Sequence, residues 1–139
     1  MGKKGKARAI ASRVHQYVNS RRADRGISRL SGSRDLAAIA EQYAHEMAKR
    51  GRVGHSVDGS NPQDRGTGFV GVSENCAGGF GSRRSTGSIA EEAVGRWMQS
   101  RGHRQNILRK RSKIDGVGCW IRHGDVYLVH MFARRRSLL

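Results

Sequence analysis

Six histidines are spread along the chain, and two of them share a setting. His55 in "RVGHS" and His103 in "SRGHRQN" each follow a glycine at the end of a stretch with helical periodicity. A rigid element can aim a side chain into a cleft from such a position. Glu74, in "VSENCAGG", is the one acidic residue of the strand-like centre of the chain, and an ionised carboxylate buried there needs a partner. Two neutral imidazoles and a carboxylate form a donor set for a zinc ion or another divalent cation, with a fourth position open to water or ligand. The two histidines stand too far apart in sequence for any compact metal motif, so only the fold can bring them together.

The other four histidines have plainer expectations. His15 and His45 fall outside the apolar stripes of their helices and are expected in solvent, and His123 sits in a turn. His130 lies within a strand, and its facing depends on a register that sequence alone does not set. Cys76 and Cys119 are too few for a disulfide scaffold and match no zinc spacing; a single bridge between them stays open.

Ile10, Val14, Tyr17 and Val18 recur at helical spacing and predict a first helix that stops near Gly26. The small and basic residues 1–12 are expected to form a flexible arm, residues 13–133 one domain, and 134–139 a basic tail. A second helix starts at the cap residue Ser33, carries Leu36, Ile39, Ala40, Tyr43, Ala44 and Met47 on one face, and ends at Gly51. From Gly51 to Ser88 the chain is glycine-rich, with a short strand expected from Phe69 to Asn75 and a flexible loop at "GGFGSRRSTG". A capping box at Ser88 and Glu91 opens a third helix with Ala90, Ala93, Val94 and Trp97 inward, closed by Gly102. Two runs rich in β-branched and aromatic residues then flank a turn at His123-Gly124-Asp125, a hairpin signal. This order predicts an α+β layered domain rather than a parallel βαβ fold.

Charge is the compositional outlier. In 139 residues there are 27 Lys and Arg against 11 Asp and Glu, a formal net charge of +16. Such a field attracts anionic polymers, membrane surfaces or, non-specifically, nucleic acid. The residues expected to meet such a partner are Lys3, Lys4, Lys6 and Arg8 at the start and Arg109, Lys110, Arg111 and Lys113 after the third helix. The aromatics fall on core stripes, so binding is expected to be weak, sequence-independent and salt-sensitive. No apolar run reaches membrane-spanning length, and "MGKKGKARAIASRV" lacks the apolar core of a signal peptide.

Read in order, the pieces resemble the CAP superfamily, the sperm-coating-protein-like or SCP domain, in its shorter prokaryotic form. "VHQYVNSRRADRGISRL" is similar to the family's first helix, and "DLAAIAEQYAHEMAKRGRVGHS" to its second helix and first cavity histidine. "SEN" stands where the family commonly has Gly-Glu-Asn. "AVGRWMQSRGHRQNIL" resembles its tryptophan-bearing third helix and Gly-His-Arg-x-Asn-Ile-Leu signature, and "GVGCW" and "VYLVHMF" its closing strands. The resemblance runs from Val14 to Phe132. It implies a three-layer α-β-α sandwich with a central antiparallel sheet.

It also implies a cleft. His55 and His103 become the cavity histidines and metal ligands, with Glu74 the nearby carboxylate. Asn106 stands where longer relatives often carry glutamine. Their second carboxylate falls at Ser100, so one negative charge is missing, which should weaken divalent metal binding. His130 stands where prokaryotic relatives often have glutamine, which would bring a third imidazole near the cleft. The implied function is binding of a divalent metal or a small lipid or peptide ligand, by a monomer, with no residue assigned to catalysis. The resemblance implies an extracellular protein; without a visible signal the chain is a mature form or an intracellular protein. The alternative is a metal-dependent hydrolase, nuclease or peptidase, using His103, His55 and Glu74. "RGH" resembles the Arg-Gly-His core of non-specific nucleases, but Ser100 replaces the Asp before it, and a peptidase would need Glu74 as its base.

Overall fold

A computed structural model describes residues 2–136. Helix α1 spans Lys3–Ala23, α2 Arg34–Arg50, α3 Pro62–Arg65, α4 Thr86–Gln99 and α5 Arg101–Leu108; the strands are β1 Ser31–Gly32, β2 Phe69–Gly81, β3 Ile114–Arg122 and β4 Asp125–Arg135. One sheet has the order β1-β3-β4-β2. The β2–β4 and β3–β4 pairs are antiparallel, and the two-residue β1 lies parallel to β3. Helix α2 covers one face, while α1 and α4 cover the other, an α-β-α sandwich.

Alternation along β3 and β4 sorts the two cores. Leu128 and Phe132 join Ile10, Val14, Val18, Ala90, Val94 and Trp97 on one side. Val129, Met131 and Ala133 join Leu36, Ala40, Tyr43 and Met47 on the other, as a period of two requires. The approach of α2 to the sheet depends on "GVG". A Cβ at Gly116 would overlap the Leu36–Ala37 backbone, and one at Gly118 would overlap that of Ala40–Glu41.

Local chemistry sets the ends of α2 as expected. The Ser33 hydroxyl accepts from the Leu36 N–H at 3.2 Å, and Gly51 adopts the left-handed conformation with φ 61°. The hairpin turn is equally direct: His123 and Gly124 both have positive φ, 51° and 78°, the mirror-image turn that matches strand twist.

Several expectations are corrected. The arm over 1–12 is helical from Lys3, because Ala7 and Ile10 are buried and Lys6 reaches the carbonyls of Ser82 and Arg84. Of the basic tail over 134–139, Arg134 and Arg135 belong to β4, and residues 137–139 lie outside the described residues. The loop expected at "GGFGSRRSTG" begins as strand, since Phe80 is fully buried opposite Val126 and the irregular stretch between Ala77 and Phe80 absorbs Gly79 at φ 82°. Helix α4 is capped by Ser85, whose hydroxyl accepts from Ser88 N–H, three residues before the expected box.

The third helix also breaks at Ser100, whose extended backbone (φ −104°, ψ 123°) separates α4 from α5. Buried Arg22 anchors the far end of α5. Its guanidinium donates to the carbonyls of Ser28, Ile107, Arg109 and Ser112 at 2.8–3.2 Å, holding the last turn of α5 and its exit loop against α1. Cys76 and Cys119 are both free and buried, one in each core, so the sheet lies between them.

Candidate functional site

Two of the expected residues, His55 and Glu74, meet at the end of the sheet where β2 passes between the exit of α2 and helix α5, and His103 stands near them on α5. His55 lies in the turn after α2. Tyr43 stitches that turn: its hydroxyl donates to the Gly54 carbonyl and accepts from the Val57 N–H at 3.1 Å. His55 Nδ1 stands 2.9 Å from Glu74 Oε1. The imidazole side chain is 48% exposed and the carboxylate not at all, so His55 is the face this pair shows to solvent.

The partner that a buried Glu74 requires is Arg65, from the short helix α3. Its Nη2 donates to both Glu74 oxygens at 2.8 Å and to the His55 carbonyl at 2.8 Å, and its guanidinium lies 3.4 Å from the centre of the Tyr43 ring. Sequence reasoning missed Arg65. The signal was local: Asn61 and Asp64 form a capping box with Pro62 at the first position, which places Arg65 at the end of one turn.

Opposite stands His103, in the first turn of α5 rather than beyond a helix end. Its Nδ1 lies 2.9 Å from the Ser100 hydroxyl. Ser100 makes no side-chain bond to the α5 backbone; its hydroxyl orients the histidine instead. Burial, and then the neighbouring His55, lower the His103 pKa, which favours a neutral imidazole able to accept a cation. Asn106 donates to Asn75 Oδ1 at 2.9 Å and to the Glu74 carbonyl at 3.3 Å, and Asn75 donates to the His103 carbonyl at 3.1 Å. These amides tie α5 to β2. Trp97 adds a buried bond from Nε1 to the Cys76 carbonyl at 3.0 Å.

A further donor stands beside His55 and Glu74. Cys76 Sγ lies 3.4 Å from Glu74 Oε1 and 3.7 Å from His55 Nδ1. Among the described residues, these three side chains form the group whose donor atoms all lie within 4.8 Å of one another; His103 stands outside it. One nitrogen, one oxygen and one sulfur donor fit zinc or a similar borderline cation. Burial, followed by the Glu74 charge and hydrogen bond, pushes the thiol pKa well up.

Away from the cleft, two histidine expectations are overturned. His15 is bonded to Asp115, its Nδ1 2.9 and 2.7 Å from the two carboxylate oxygens, because β3 passes directly beneath α1. His45 stacks on Trp120, with ring centres 3.9 Å apart. His130 is fully buried, with Nε2 2.8 Å from Asp115 Oδ2 and the ring stacked on Phe132, so its register turns it toward Asp115 rather than the cation donors. Burial pushes the Asp115 carboxyl up, but the bonds from His130 and His15 outweigh it and hold its pKa below the usual range. The Asp115 bond raises the His15 pKa against the opposing effect of burial.

The basic candidates divide. Lys6 is bonded to carbonyls and Arg8 pairs with Glu41 at 3.7 Å. Arg109, Lys110, Arg111 and Lys113 are exposed, and among the described residues no salt bridge engages them.

Comparison with known proteins agrees with this fold. The sequence matches the model of CAP, the cysteine-rich secretory protein family, over residues 15–132. No match to a curated protein sequence was found. The structure is similar to an outer surface protein from Borrelia burgdorferi, with a TM-score of 0.80 at 16% identity, covering 98% of this chain and 97% of that one. It is also similar to an extracellular protein containing a SCP domain from Bacillus anthracis, with a TM-score of 0.67 at 20% identity, covering 96% of this chain and 41% of that one. NaASP2, in a crystal structure with Zn2+, aligns with a TM-score of 0.62 at 12% identity, covering 91% and 78%. At these identities the likeness is one of fold.

Proposed function

Since the chain belongs to the cysteine-rich secretory protein (CAP) family, we propose that it is an extracellular binding domain whose cleft takes a divalent cation or a small lipid or peptide ligand. Its basic surface docks it on an anionic polymer or membrane. The observation that carries the reading is the exposed His55 imidazole, hydrogen-bonded to the buried Glu74 carboxylate with the Cys76 thiol beside both. An imidazole beside a buried carboxylate offers a cation a nitrogen and an oxygen donor 2.9 Å apart. The zinc in the NaASP2 structure supports a cation in this fold.

When bound, such an ion supplies a Lewis-acidic centre able to hold an anionic or carbonyl group of a ligand. The chain's own residues do the rest. Glu74 and His55 hold their donor atoms side by side, Ser100 orients His103, and Asn106 with Asn75 keeps α5 at a fixed distance from β2. Arg65 neutralises Glu74, which makes that carboxylate a poor base. That favours binding over hydrolysis.

Calorimetric titration of the metal-free protein with Zn2+, repeated on His55→Ala and His103→Ala, tests the reading. Stoichiometric binding that is lost in both variants supports a shared cation site. Absence of binding to the folded parent protein, or binding unchanged in both variants, overturns it.

A further inference from the structure

We propose that Cys76 is a ligand of this cleft, which makes it a thiolate–imidazole–carboxylate site selective for soft and borderline cations. The inference rests on the reading of the cleft as a cation site and names the chemistry that site selects.

Glu74 and Cys76 are two apart in β2, so both point to the α2 face of the sheet, where the turn after α2 brings His55 over them. The three donor atoms already form a small triangle, with Sγ–Nδ1 3.7 Å, Sγ–Oε1 3.4 Å and Nδ1–Oε1 2.9 Å. Ordinary zinc bonds to S, N and O in tetrahedral array put neighbouring donors about 3.4–3.6 Å apart. Both edges to sulfur are near that spacing, and only the His55–Glu74 edge must lengthen. The hydrogen bond that now closes that edge is the one a cation would replace.

Charge balance gives the thiol its purpose. Arg65 lies 2.8 Å from both Glu74 oxygens and cancels the carboxylate's charge. A divalent ion beside that pair would meet the guanidinium with no net anion to offset it. Ser100 stands where a second carboxylate would have helped. Cys76 can supply the missing charge: its S–H bond breaks, an S–metal bond forms, and the proton leaves to solvent. Thiolate is a soft donor that favours Zn2+, Cd2+ or Cu(I), whereas Mg2+ and Ca2+ require a shell of oxygens. Cys119, buried in the other core, takes no part.

Cobalt-substituted protein supplies the test, because a cobalt–thiolate bond has its own charge-transfer absorption. The parent protein and Cys119→Ser should bind one Co2+ with that band. Cys76→Ser should lack it and should bind Zn2+ more weakly by about a hundredfold or more, beyond what outer-shell changes produce. Zn2+ uptake by the parent in weak buffer should release a proton that Cys76→Ser does not. Circular dichroism of Cys76→Ser and Cys76→Ala checks the fold, and the band in the parent stands whether or not either variant folds. Metal binding by the parent without a thiolate band overturns the inference and leaves a histidine cation site standing. No cation binding at all overturns both.

Discussion

Arg65 holds Glu74 by placing a single guanidinium nitrogen 2.8 Å from each carboxylate oxygen. The carboxylate is fully buried and the arginine side chain only 8% exposed, so neither can turn to water if the other is lost. Removing one partner of such a pair costs about 3–5 kcal/mol. Arg65→Leu and Glu74→Gln should each lose stability of that order in urea unfolding. The double variant should lose less than the sum, since no charge is then left alone. Strict additivity in the double-mutant cycle, or single losses under about 1 kcal/mol, would contradict a desolvated pair.

Helix α2 rests on backbone where other sheets present side chains. At Gly118 an added Cβ meets the Ala40–Glu41 backbone, which cannot rotate away. Gly118→Ala should therefore displace α2 from the sheet and cost about 1–3 kcal/mol or more. Gly95, in α4, has nothing within 4 Å of an added Cβ, and Gly95→Ala should stabilise by about 0.5–1 kcal/mol. Thermal unfolding of the two variants should move in opposite directions. A common direction would mean that the close approach of α2 is not what Gly118 provides.

The boundary between what the sequence discloses and what it withholds follows the range of the interactions. Ser33, Gly51 and the His123-Gly124 turn are governed by neighbours within a few residues, and they read correctly. His55, Glu74 and His103 stand out because each has a local oddity, a Gly-His step or an acid among strand formers. Cys76 has none, and for Arg65 the Asn61–Asp64 capping box marks only the turn that carries it; both roles exist only where α3 and β2 cross the end of α2. His15 looks solvated when its helix is taken alone; its partner Asp115 is 100 residues away. A buried carboxylate needs a partner in "KIDGVG" as much as in "VSENCAGG", and that requirement flags Asp115 as it flagged Glu74. The N-terminal arm misreads for a related reason: Ala7, a lone small apolar residue among basic ones, carries little periodicity, yet it is buried.

Trp97 joins the two halves of the cleft's support. It is 2% exposed within the core under α1 and bonds the Cys76 carbonyl. Trp97→Ala should cost about 3–5 kcal/mol through the cavity it leaves. Trp97→Phe keeps most of the volume but strands a buried carbonyl, which costs about 1–3 kcal/mol. Equal melting temperatures for Trp97→Ala and the parent would contradict the assignment.

The His15–Asp115 bond joins α1 to β3, with His130 on β4 and Arg22 on α1 as the other charged or titratable neighbours of Asp115. His15 has a raised pKa, so its contribution is complete below its unfolded value near 6.5 and is lost as pH rises through the folded value. Asp115 has a lowered pKa, so its contribution is present above its unfolded value near 3.9 and is lost as pH falls through the folded value. The two overlap between about pH 4 and 6.5. The stability difference between the parent and His15→Gln should be greatest in that window and shrink toward pH 8. A difference that stays flat with pH would show that the pair acts through packing alone.

Arg22 gives the basic surface a fixed footing. By holding the carbonyls of Ile107, Arg109 and Ser112 it pins the loop that carries Arg109, Lys110, Arg111 and Lys113, and these four side chains remain exposed without a salt-bridge partner among the described residues. A polyanion that meets them displaces its own counterions and breaks no internal bond of the protein. Lys6 differs, since its ammonium is already held by two carbonyls. With duplex DNA as the probe, the logarithm of affinity should fall linearly with the logarithm of salt concentration. Changing all four loop residues to Ser should flatten that slope by about 3–4, roughly 0.9 for each phosphate contact removed, whereas Lys6→Ser should barely change it. An unaltered slope in the four-residue variant would move the docking surface elsewhere on the molecule. Binding that is indifferent to salt would remove electrostatics as its cause.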